Sequence, residues 1–279
     1  MTIPTIELND GNAIPQLGFG VFQIPPPETA KAVEHALAAG YRHIDTAEMY
    51  GNERGVGEAI RSSGIARDEV FVTSKLNNNV HRPDDARAAF ERTLDELGFE
   101  HVDLFLIHWP LPTRYDGDFV STWQTLAEFK ADGRARSIGV SNFQVAHLER
   151  LAAETDTVPA VNQVEAHPFF HNDAVRAYGK EHGIATEAWA PLGQGRYDIF
   201  NLPPITAAAA AHGVTSAQVV LRWHLQTGII ALPKSSSKER MRENLDIAGF
   251  ELTAEEMGAI DALDENVRLA ADPTDINLD

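Results

Sequence analysis

Residues 40–53 read Gly-Tyr-Arg-His-Ile-Asp-Thr-Ala-Glu-Met-Tyr-Gly-Asn-Glu and combine a strand, a loop and the start of a helix. The predicted strand ends on the carboxylate of Asp45, and the loop then presents the phenol of Tyr50. Two later apolar segments end in the same way on Lys75 and His108. Because parallel strands end at one edge of a sheet, we expect these four side chains to converge. A phenol beside an ammonium, a carboxylate and an imidazole favours proton transfer to a carbonyl oxygen.

Strand-like and helix-like segments alternate along the whole chain. A short apolar segment occurs eight times, and a helix-like segment follows each one. The predicted strands lie at or near 17–20, 42–44, 70–75, 102–108, 135–140, 160–164, 184–189 and 229–232. Eight such units close most naturally into a barrel, for which about 250 residues is typical. An open, doubly wound sheet is the alternative.

The predicted fold is therefore α/β, a (β/α)8 TIM barrel with additions at both ends. An N-terminal β-hairpin is indicated over 6–14 by an Asp-Gly turn, and extra helices are indicated near the C-terminus. No linker or shift in composition marks a second domain, so 1–279 is predicted to be a single barrel domain. The tail from Asn266 is polar and without pattern.

Composition narrows the classes of partner and compartment. The formal net charge of −18 argues against nucleic acid or an anionic membrane as the main partner, because phosphate binding needs a basic surface. No apolar run is long enough to span a membrane, and residues 1–5 lack the basic and apolar regions of a signal peptide. The absence of cysteine excludes disulfides and cysteine metal sites, and it fits a cytoplasmic protein.

Polar residues are concentrated where the predicted strands end. Each has an ordinary explanation of its own, such as helix capping, but a buried lysine and a buried aspartate at one depth are costly unless paired. In a barrel the active site lies at this rim, and strand interiors stay apolar. These residues therefore predict one polar mouth on the barrel. The rim residues are Gly20, Asp45, Lys75, His108, Ser141, Asn142, Gln163, Trp189, Lys234 and Ser235.

Two common nucleotide-binding signatures are absent. No Gly-x-Gly-x-x-Gly follows the early strands, which disfavours a Rossmann site, and no tyrosine precedes a lysine by four positions, which counts against short-chain dehydrogenases. A basic, hydroxyl-rich helix start lies instead around Lys234, Lys238 and Arg240. Backbone amides at such a start attract phosphate, and the cations suit a ribose phosphate. This pattern predicts NADPH rather than NADH, with an ordinary solvated helix entry as the alternative.

Three longer motifs resemble those of one enzyme family. They are residues 40–57, 136–143 (Arg-Ser-Ile-Gly-Val-Ser-Asn-Phe) and 232–244 (Leu-Pro-Lys-Ser-Ser-Ser-Lys-Glu-Arg-Met-Arg-Glu-Asn). On these motifs the chain resembles the aldo-keto reductases over nearly its whole length, and among them the bacterial diketogluconate reductases most. The resemblance implies a monomeric or weakly associating barrel that reduces aldehydes and ketones to alcohols with NADPH. It also implies a catalytic tetrad of Asp45, Tyr50, Lys75 and His108.

The tetrad suggests how a proton reaches the substrate. A free tyrosine titrates near pH 10, and an ammonium about 4 Å away contributes roughly 4 kcal/mol at an effective dielectric near 20. We therefore expect Lys75 to lower the pKa of Tyr50, the general acid, while Asp45 keeps Lys75 charged and oriented. His108 is expected to donate to the substrate oxygen. The alternative is a salt bridge that has an ordinary tyrosine and histidine beside it.

The resemblance also assigns the binding residues. Trp189 is expected to stack on the nicotinamide, and Leu192 and the 193–195 loop to cover the pyrophosphate. Glu243 and Asn244 are expected to hold the adenine. The implied cofactor residues are Gly20, Ser141, Asn142, Gln163, Trp189, Leu192, Gly193, Gln194, Gly195, Lys234, Ser235, Ser236, Arg240, Glu243 and Asn244. The implied substrate residues are Phe22, Met49, Asn77, His108 and Trp109.

Two positions depart from the family pattern. Asn77 stands where relatives usually have tryptophan, and losing that indole predicts a preference for smaller or more polar carbonyl compounds. Ser237 replaces a residue that is basic in the nearest relatives, which is expected to loosen the preference for NADPH.

Two rival functions remain open at this point. One is a non-catalytic, NADPH-binding regulatory barrel, against which the intact tetrad argues. The other is a metal-dependent barrel hydrolase, although no His-x-His lies on an early strand, and we predict no metal. The ligands of that hydrolase would be His43, Asp45, His108, His167 and His171.

Overall fold

A computed structural model describes residues 3–276 of the chain, and its centre is one sheet of eight parallel strands. Each strand pairs with the next one along the chain, which is the order that the predicted barrel requires. The (β/α)8 prediction is confirmed. The barrel strands are β3 (Phe19–Gly20), β4 (His43–Asp45), β5 (Phe71–Leu76), β6 (Val102–Ile107), β7 (Ala135–Ser141), β8 (Val161–Glu165), β9 (Ala185–Trp189) and β10 (Ile230–Ala231).

The first and last barrel strands meet and close the ring. Leu17 and Ala231 form a parallel bridge, and the Gly18 amide donates to the Ala231 carbonyl at 2.9 Å. A Cβ on Gly18 would lie 2.6 Å from the Leu232 side chain and 2.7 Å from the His43 ring, so this seam requires glycine. The open, doubly wound alternative is therefore wrong.

A helix follows each barrel strand. Two helices lie between β9 and β10, and another follows the helix after β10, so the predicted extra helices near the C-terminus are confirmed. The last helix begins with a capping box, in which the Thr253 hydroxyl accepts from the Glu256 amide at 3.2 Å. The helices are α1 (Pro26–Ala39), α2 (Glu53–Ser62), α3 (Pro83–Leu97), α4 (Val120–Ala131), α5 (Val145–Glu154), α6 (Asp173–Glu181), α7 (Pro203–His212), α8 (Ser216–Gln226), α9 (Lys238–Leu245) and α10 (Ala254–Asp261).

The predicted hairpin covers the amino end of the barrel. Its strands, β1 (Thr5–Glu7) and β2 (Ala13–Pro15), are antiparallel, with Thr5 opposite Pro15. The Asn12 amide donates to the Arg136 carbonyl at 3.1 Å, at the start of β7. The hairpin leaves the opposite end, where the strands finish, open for a site.

Aromatic packing between helices and sheet stabilises the barrel wall. Phe90 of α3 stacks on Phe129 of α4 at 4.2 Å between ring centroids, and Phe105 of β6 contacts Phe90 at 4.6 Å. All three side chains are buried. Truncating one such side chain to alanine typically costs about 3–5 kcal/mol. This packing fixes the position of β6 and therefore of His108, which follows it.

The C-terminal segment crosses the open end of the barrel. The amides of Glu265 and Val267 donate to the Phe169 carbonyl at 3.1 and 3.3 Å. The predicted tail begins at Asn266, and its residues 277–279, like residues 1–2, lie outside the described part of the chain. Within 3–276, no helix is both long and apolar enough to cross a membrane.

Candidate active site

A cavity of about 940 Å³ opens where the barrel strands end. Its size is in the range of small-molecule sites, and its wall is mainly apolar with a few polar groups. A smaller cavity of about 280 Å³ lies at the amino end, under the hairpin. Of the predicted tetrad, Asp45, Tyr50 and His108 line the larger cavity, and Lys75 lies buried beneath it.

Asp45 and Lys75 form a buried ion pair at the base of the cavity. The Lys75 ammonium donates to Asp45 Oδ1 at 2.7 Å, to Asp45 Oδ2 at 2.8 Å and to the Thr46 carbonyl at 2.9 Å. All three donors of the ammonium are thus satisfied. Burial alone would lower the pKa of Lys75, but Asp45 and Tyr50 raise it above its ordinary value. Lys75 is therefore charged, as the sequence predicted.

Tyr50 lies over this ion pair, at the end of a short 3-10 turn that begins at Glu48. Its ring centroid is 5.2 Å from Lys75 Nζ, and the Phe22 ring packs against it at 5.0 Å. Burial raises the pKa of Tyr50 above its ordinary value, although Lys75 lowers it. Lys75 therefore acts in the expected direction, but in the protein without ligand the desolvation of the phenolate outweighs the nearby ammonium.

His108 completes the tetrad immediately after β6. Its ring lies edge-on to the Tyr50 ring at 5.7 Å between centroids. Burial lowers the pKa of His108 well below its ordinary value, and Lys75 and His81 lower it further. Within the described residues, His108 Nδ1 has no hydrogen-bond partner. A neutral imidazole beside the phenol can donate one hydrogen bond to a ligand.

A hydrogen-bonded network joins the histidine to the indole on the opposite wall. Asn142, in the left-handed region at φ 66°, donates from Nδ2 to the His108 carbonyl at 3.0 Å. Its Oδ1 accepts from the Trp189 indole N–H at 2.8 Å. The Ser141 hydroxyl donates to the Gln163 carbonyl at 2.8 Å. This network fixes the plane of the Trp189 ring before any ligand enters.

Glu187 is a buried carboxyl in the site that sequence reasoning missed. Gln163 Nε2 donates both to Asp45 Oδ2 at 2.8 Å and to Glu187 Oε2 at 2.7 Å. Burial, followed by the charge of Asp45, raises the pKa of Glu187 to about 8. Burial lowers the pKa of the adjacent His43 to about 4. Sequence reasoning missed Glu187 because the alternating pattern of β9 does not show which side chains of the other strands its inward residues meet.

The basic helix start lies at the far end of the same cavity. Ser237 caps α9, and its hydroxyl accepts from the Arg240 amide at 3.4 Å. Lys238 is in this helix start but is not part of the cavity wall. The predicted residues that line this end are Lys234, Ser235, Ser236, Arg240, Glu243 and Asn244.

The other predicted binding residues divide into two groups. Gly20, Phe22, Met49, Trp109, Leu192, Gln194 and Gly195 line the cavity, together with the network residues above. Gly193 and Asn77 do not. The Asn77 side chain instead accepts from the Asn78 amide at 2.8 Å, so it points its polar group at its own loop.

The C-terminal segment forms one wall of the cavity, which the sequence did not indicate. Leu269, Ala270 and Ile276 line it. The buried carboxylate of Glu165, at the end of β8, holds this segment by accepting from the amides of Leu269 and Ala270, the latter at 3.1 Å. A polar tail without periodicity gives no sign of such an anchor, because the bonds use backbone amides.

The ligand set of the predicted hydrolase rival is not brought together. Asp45 is bound to Lys75, His43 Nε2 lies 3.1 Å from the Thr73 hydroxyl, and His167 lies 3.1 Å from Glu165. Among residues 3–276, the one group of three close enough to share an ion is His171, Asp173 and Asp264, which is outside the cavity.

Comparisons with known proteins agree on one family. Residues 16–265 match the model of the Aldo/keto reductase family. An aldo-keto reductase of Mycobacterium sp. (strain KMS) is 48% identical and aligns over 99% of both chains. The methylglyoxal reductase DkgA of Yersinia pestis is 46% identical over 97% of this chain and 96% of its own. A solved structure, a mutant of Gox0644 in complex with NADPH, has a TM-score of 0.94 at 43% identity and covers 100% of both chains.

Proposed function

The chain belongs to the aldo-keto reductase family, and from this premise we propose that Tyr50 is the general acid of its reaction. The enzyme is an NADPH-dependent oxidoreductase that reduces an aldehyde or ketone to an alcohol. The observation that carries the assignment to Tyr50 is the Asp45–Lys75 ion pair directly beneath its ring. No other tyrosine lines the cavity among residues 3–276.

The residues present fit the cofactor. The cavity has a cationic, hydroxyl-bearing end at Lys234 and Arg240 and an indole held in a fixed plane near the tetrad. Phosphate groups suit the first end, and a flat ring suits stacking on Trp189. NADPH, when bound, supplies the hydride that reduces the carbonyl carbon. Ser141, Asn142 and Gln163 are proposed to orient the nicotinamide end, and Glu243 and Asn244 the adenine end.

The chain supplies the proton. Tyr50 donates it to the carbonyl oxygen, and Lys75 stabilises the phenolate that remains. Asp45 keeps Lys75 in place under the ring. The neutral His108 donates a hydrogen bond to the same oxygen and orients the carbonyl. The protein without ligand keeps Tyr50 protonated. A reduction needs this state, because Tyr50 donates its proton to the carbonyl oxygen.

The cofactor assignment is tested by substitution at its phosphate end. We expect Arg240→Ala to weaken NADPH binding by about tenfold to a hundredfold, since a charge-assisted hydrogen bond is worth about 1.5–3 kcal/mol. NADH binding should change little, because it lacks the ribose phosphate. Titration of the intrinsic tryptophan fluorescence with each cofactor measures both affinities. Lys238→Ala is the matched control, and equal losses for both cofactors would refute the assignment.

The substrate is proposed to be a small or polar carbonyl compound. Asn77 contributes no apolar group to the cavity, and one relative is named a methylglyoxal reductase. We expect kcat/KM to be at least about tenfold higher for methylglyoxal than for a bulky aromatic aldehyde, which corresponds to roughly 1.4 kcal/mol. A panel of aldehydes assayed by NADPH consumption checks this, and comparable values for both classes would contradict it.

We also infer that the protein acts as a cytoplasmic monomer without a nucleic-acid partner. The cavity, with the proposed catalytic and cofactor residues around it, is formed within a single chain, which supports a monomer. The absence of cysteine supports the cytoplasmic location. The net charge of −18 argues against a nucleic-acid partner.

A further inference from the structure

Glu187 is a carboxyl group inside the barrel for which the proposed reaction has no use. It lies on β9, where it pairs in register with Gln163 of β8 and Ile230 of β10, and its side chain has no exposure to solvent. Its Oε2 accepts from Gln163, and its Oε1 lies 3.6 Å from His43 Nε2 without a hydrogen-bond partner in the described chain. A buried carboxylate with so few donors is costly, so this position requires an explanation.

The geometry makes Glu187 and Asp45 a pair. Both carboxyl groups accept from the same nitrogen of Gln163, at 2.7 and 2.8 Å. Lys75 gives two hydrogen bonds to Asp45 and a third to the Thr46 carbonyl, and within the described residues it gives none to Glu187. Because two like charges that share a donor in a dry interior are unfavourable, one carboxyl keeps its proton. Of the two carboxyl groups, only Asp45 accepts from Lys75, which leaves the proton on Glu187.

The groups that face Glu187 come from each neighbouring element. His43 and Asp45 lie on β4, Lys75 lies on β5, and Tyr50 lies in the loop above them. From β8 comes the uncharged amide of Gln163, and from β10 come Ile230 and Ala231. Apart from Lys75, no cation is available to neutralise a charge on Glu187 among these groups.

We propose that Glu187 is a positioning residue whose buried carboxyl group, paired with Asp45 on the amide of Gln163, widens the pH range over which Tyr50 serves as the acid. The proposal rests on the role of Tyr50 proposed above. Once Glu187 is ionised, its negative charge opposes a second negative charge on Tyr50. Tyr50 therefore keeps its proton to a higher pH than it would beside a neutral residue.

The test is the pH dependence of aldehyde reduction by Glu187→Gln. The variant keeps the shape of the side chain but never ionises, so the alkaline decline of kcat/KM should move about one unit to lower pH. Alcohol oxidation with NADP⁺, which needs the ionised phenol, should begin at a pH lower by the same amount. Glu187→Leu has the same expected shift and serves if the first variant folds poorly.

A second readout concerns the proton on Glu187 itself. The pKa of this group is raised by folding, to about 8, so its stabilising contribution is complete below the unfolded value near 4.5 and is lost as pH rises towards 8. Glu187→Gln should therefore gain thermal stability over the wild type progressively from pH 5 to pH 8. No change in this difference with pH would overturn the proton assignment.

Glu53→Gln is the matched control. Burial raises the pKa of Glu53 to about 7, but its carboxyl bonds the Ser74 hydroxyl at 2.5 Å, away from the shared amide of Gln163. This variant should leave the alkaline decline of kcat/KM at the pH of the wild type. The proposal would be overturned if the alkaline decline of kcat/KM did not move in either Glu187 variant while NADPH affinity stayed normal. An equal shift in Glu53→Gln would also overturn it. Activity that survives Tyr50→Phe would instead overturn the role of Tyr50.

Discussion

Tyr50→Phe is expected to lower kcat for aldehyde reduction by about a hundredfold to ten-thousandfold, the range that general acid catalysis contributes. The phenylalanine ring keeps the contacts with Phe22 and His108 but carries no proton to donate. Steady-state assays of NADPH consumption, with a small aldehyde at saturating concentration, measure the loss. NADPH affinity should stay near the wild-type value, since Tyr50 is not assigned a cofactor contact.

Tyr178→Phe provides the control for Tyr50→Phe. Tyr178 lies on α6, where its ring stacks on His182 at 4.0 Å, and it is not part of the cavity. Its loss should leave kcat unchanged. Near-normal turnover by Tyr50→Phe would mean that another group delivers the proton, and His108 would then be the first candidate to replace.

Lys75→Met is expected to lower the free energy of unfolding by about 3–5 kcal/mol, as does removal of one partner from other buried ion pairs. The substitution leaves the Asp45 carboxylate buried with only the amide of Gln163 as a side-chain donor. It also removes the cation beneath Tyr50, so activity should fall together with stability. Urea unfolding followed by circular dichroism measures the first effect, and NADPH consumption measures the second.

Two comparisons separate the causes of these losses. Adding Asp45→Asn to Lys75→Met removes the unpaired charge, so the double variant should recover part of the stability but none of the activity. Arg54→Met breaks an exposed ion pair with Glu96 and should leave stability unchanged. A Lys75→Met protein as stable as the wild type would show that the interior hydrates the carboxylate, contrary to the burial of this pair.

Three of the four tetrad residues were predictable because they stand at or near the ends of separate strands, and Tyr50 because it lies in the loop after the first of them. Asp45, Lys75 and His108 each follow an apolar run, and parallel pairing is enough to bring such positions together. The basic cluster near Lys234 was predictable for the same reason, since a helix start after the last strand faces the same rim.

The remaining features depend on contacts that no local pattern encodes. Glu187 lies within β9, and its relation to Asp45 exists only through the side chain of Gln163. The wall at Leu269 and Ala270 depends on backbone amides bound by Glu165. The net pKa of Tyr50 required its burial to be known, because the effects of desolvation and of Lys75 have opposite signs.

The seam between Leu17 and Ala231 has a consequence for how the chain acquires its site during synthesis. The two residues lie roughly two hundred positions apart, which makes this contact far less local than the pairing of successive strands. The tetrad comes from the segment between β4 and the residue after β6, in the first half of the chain, whereas the cationic end of the cavity follows the last strand. A nascent chain on the ribosome therefore holds all the groups that we propose for proton transfer well before the ring that encloses them can form.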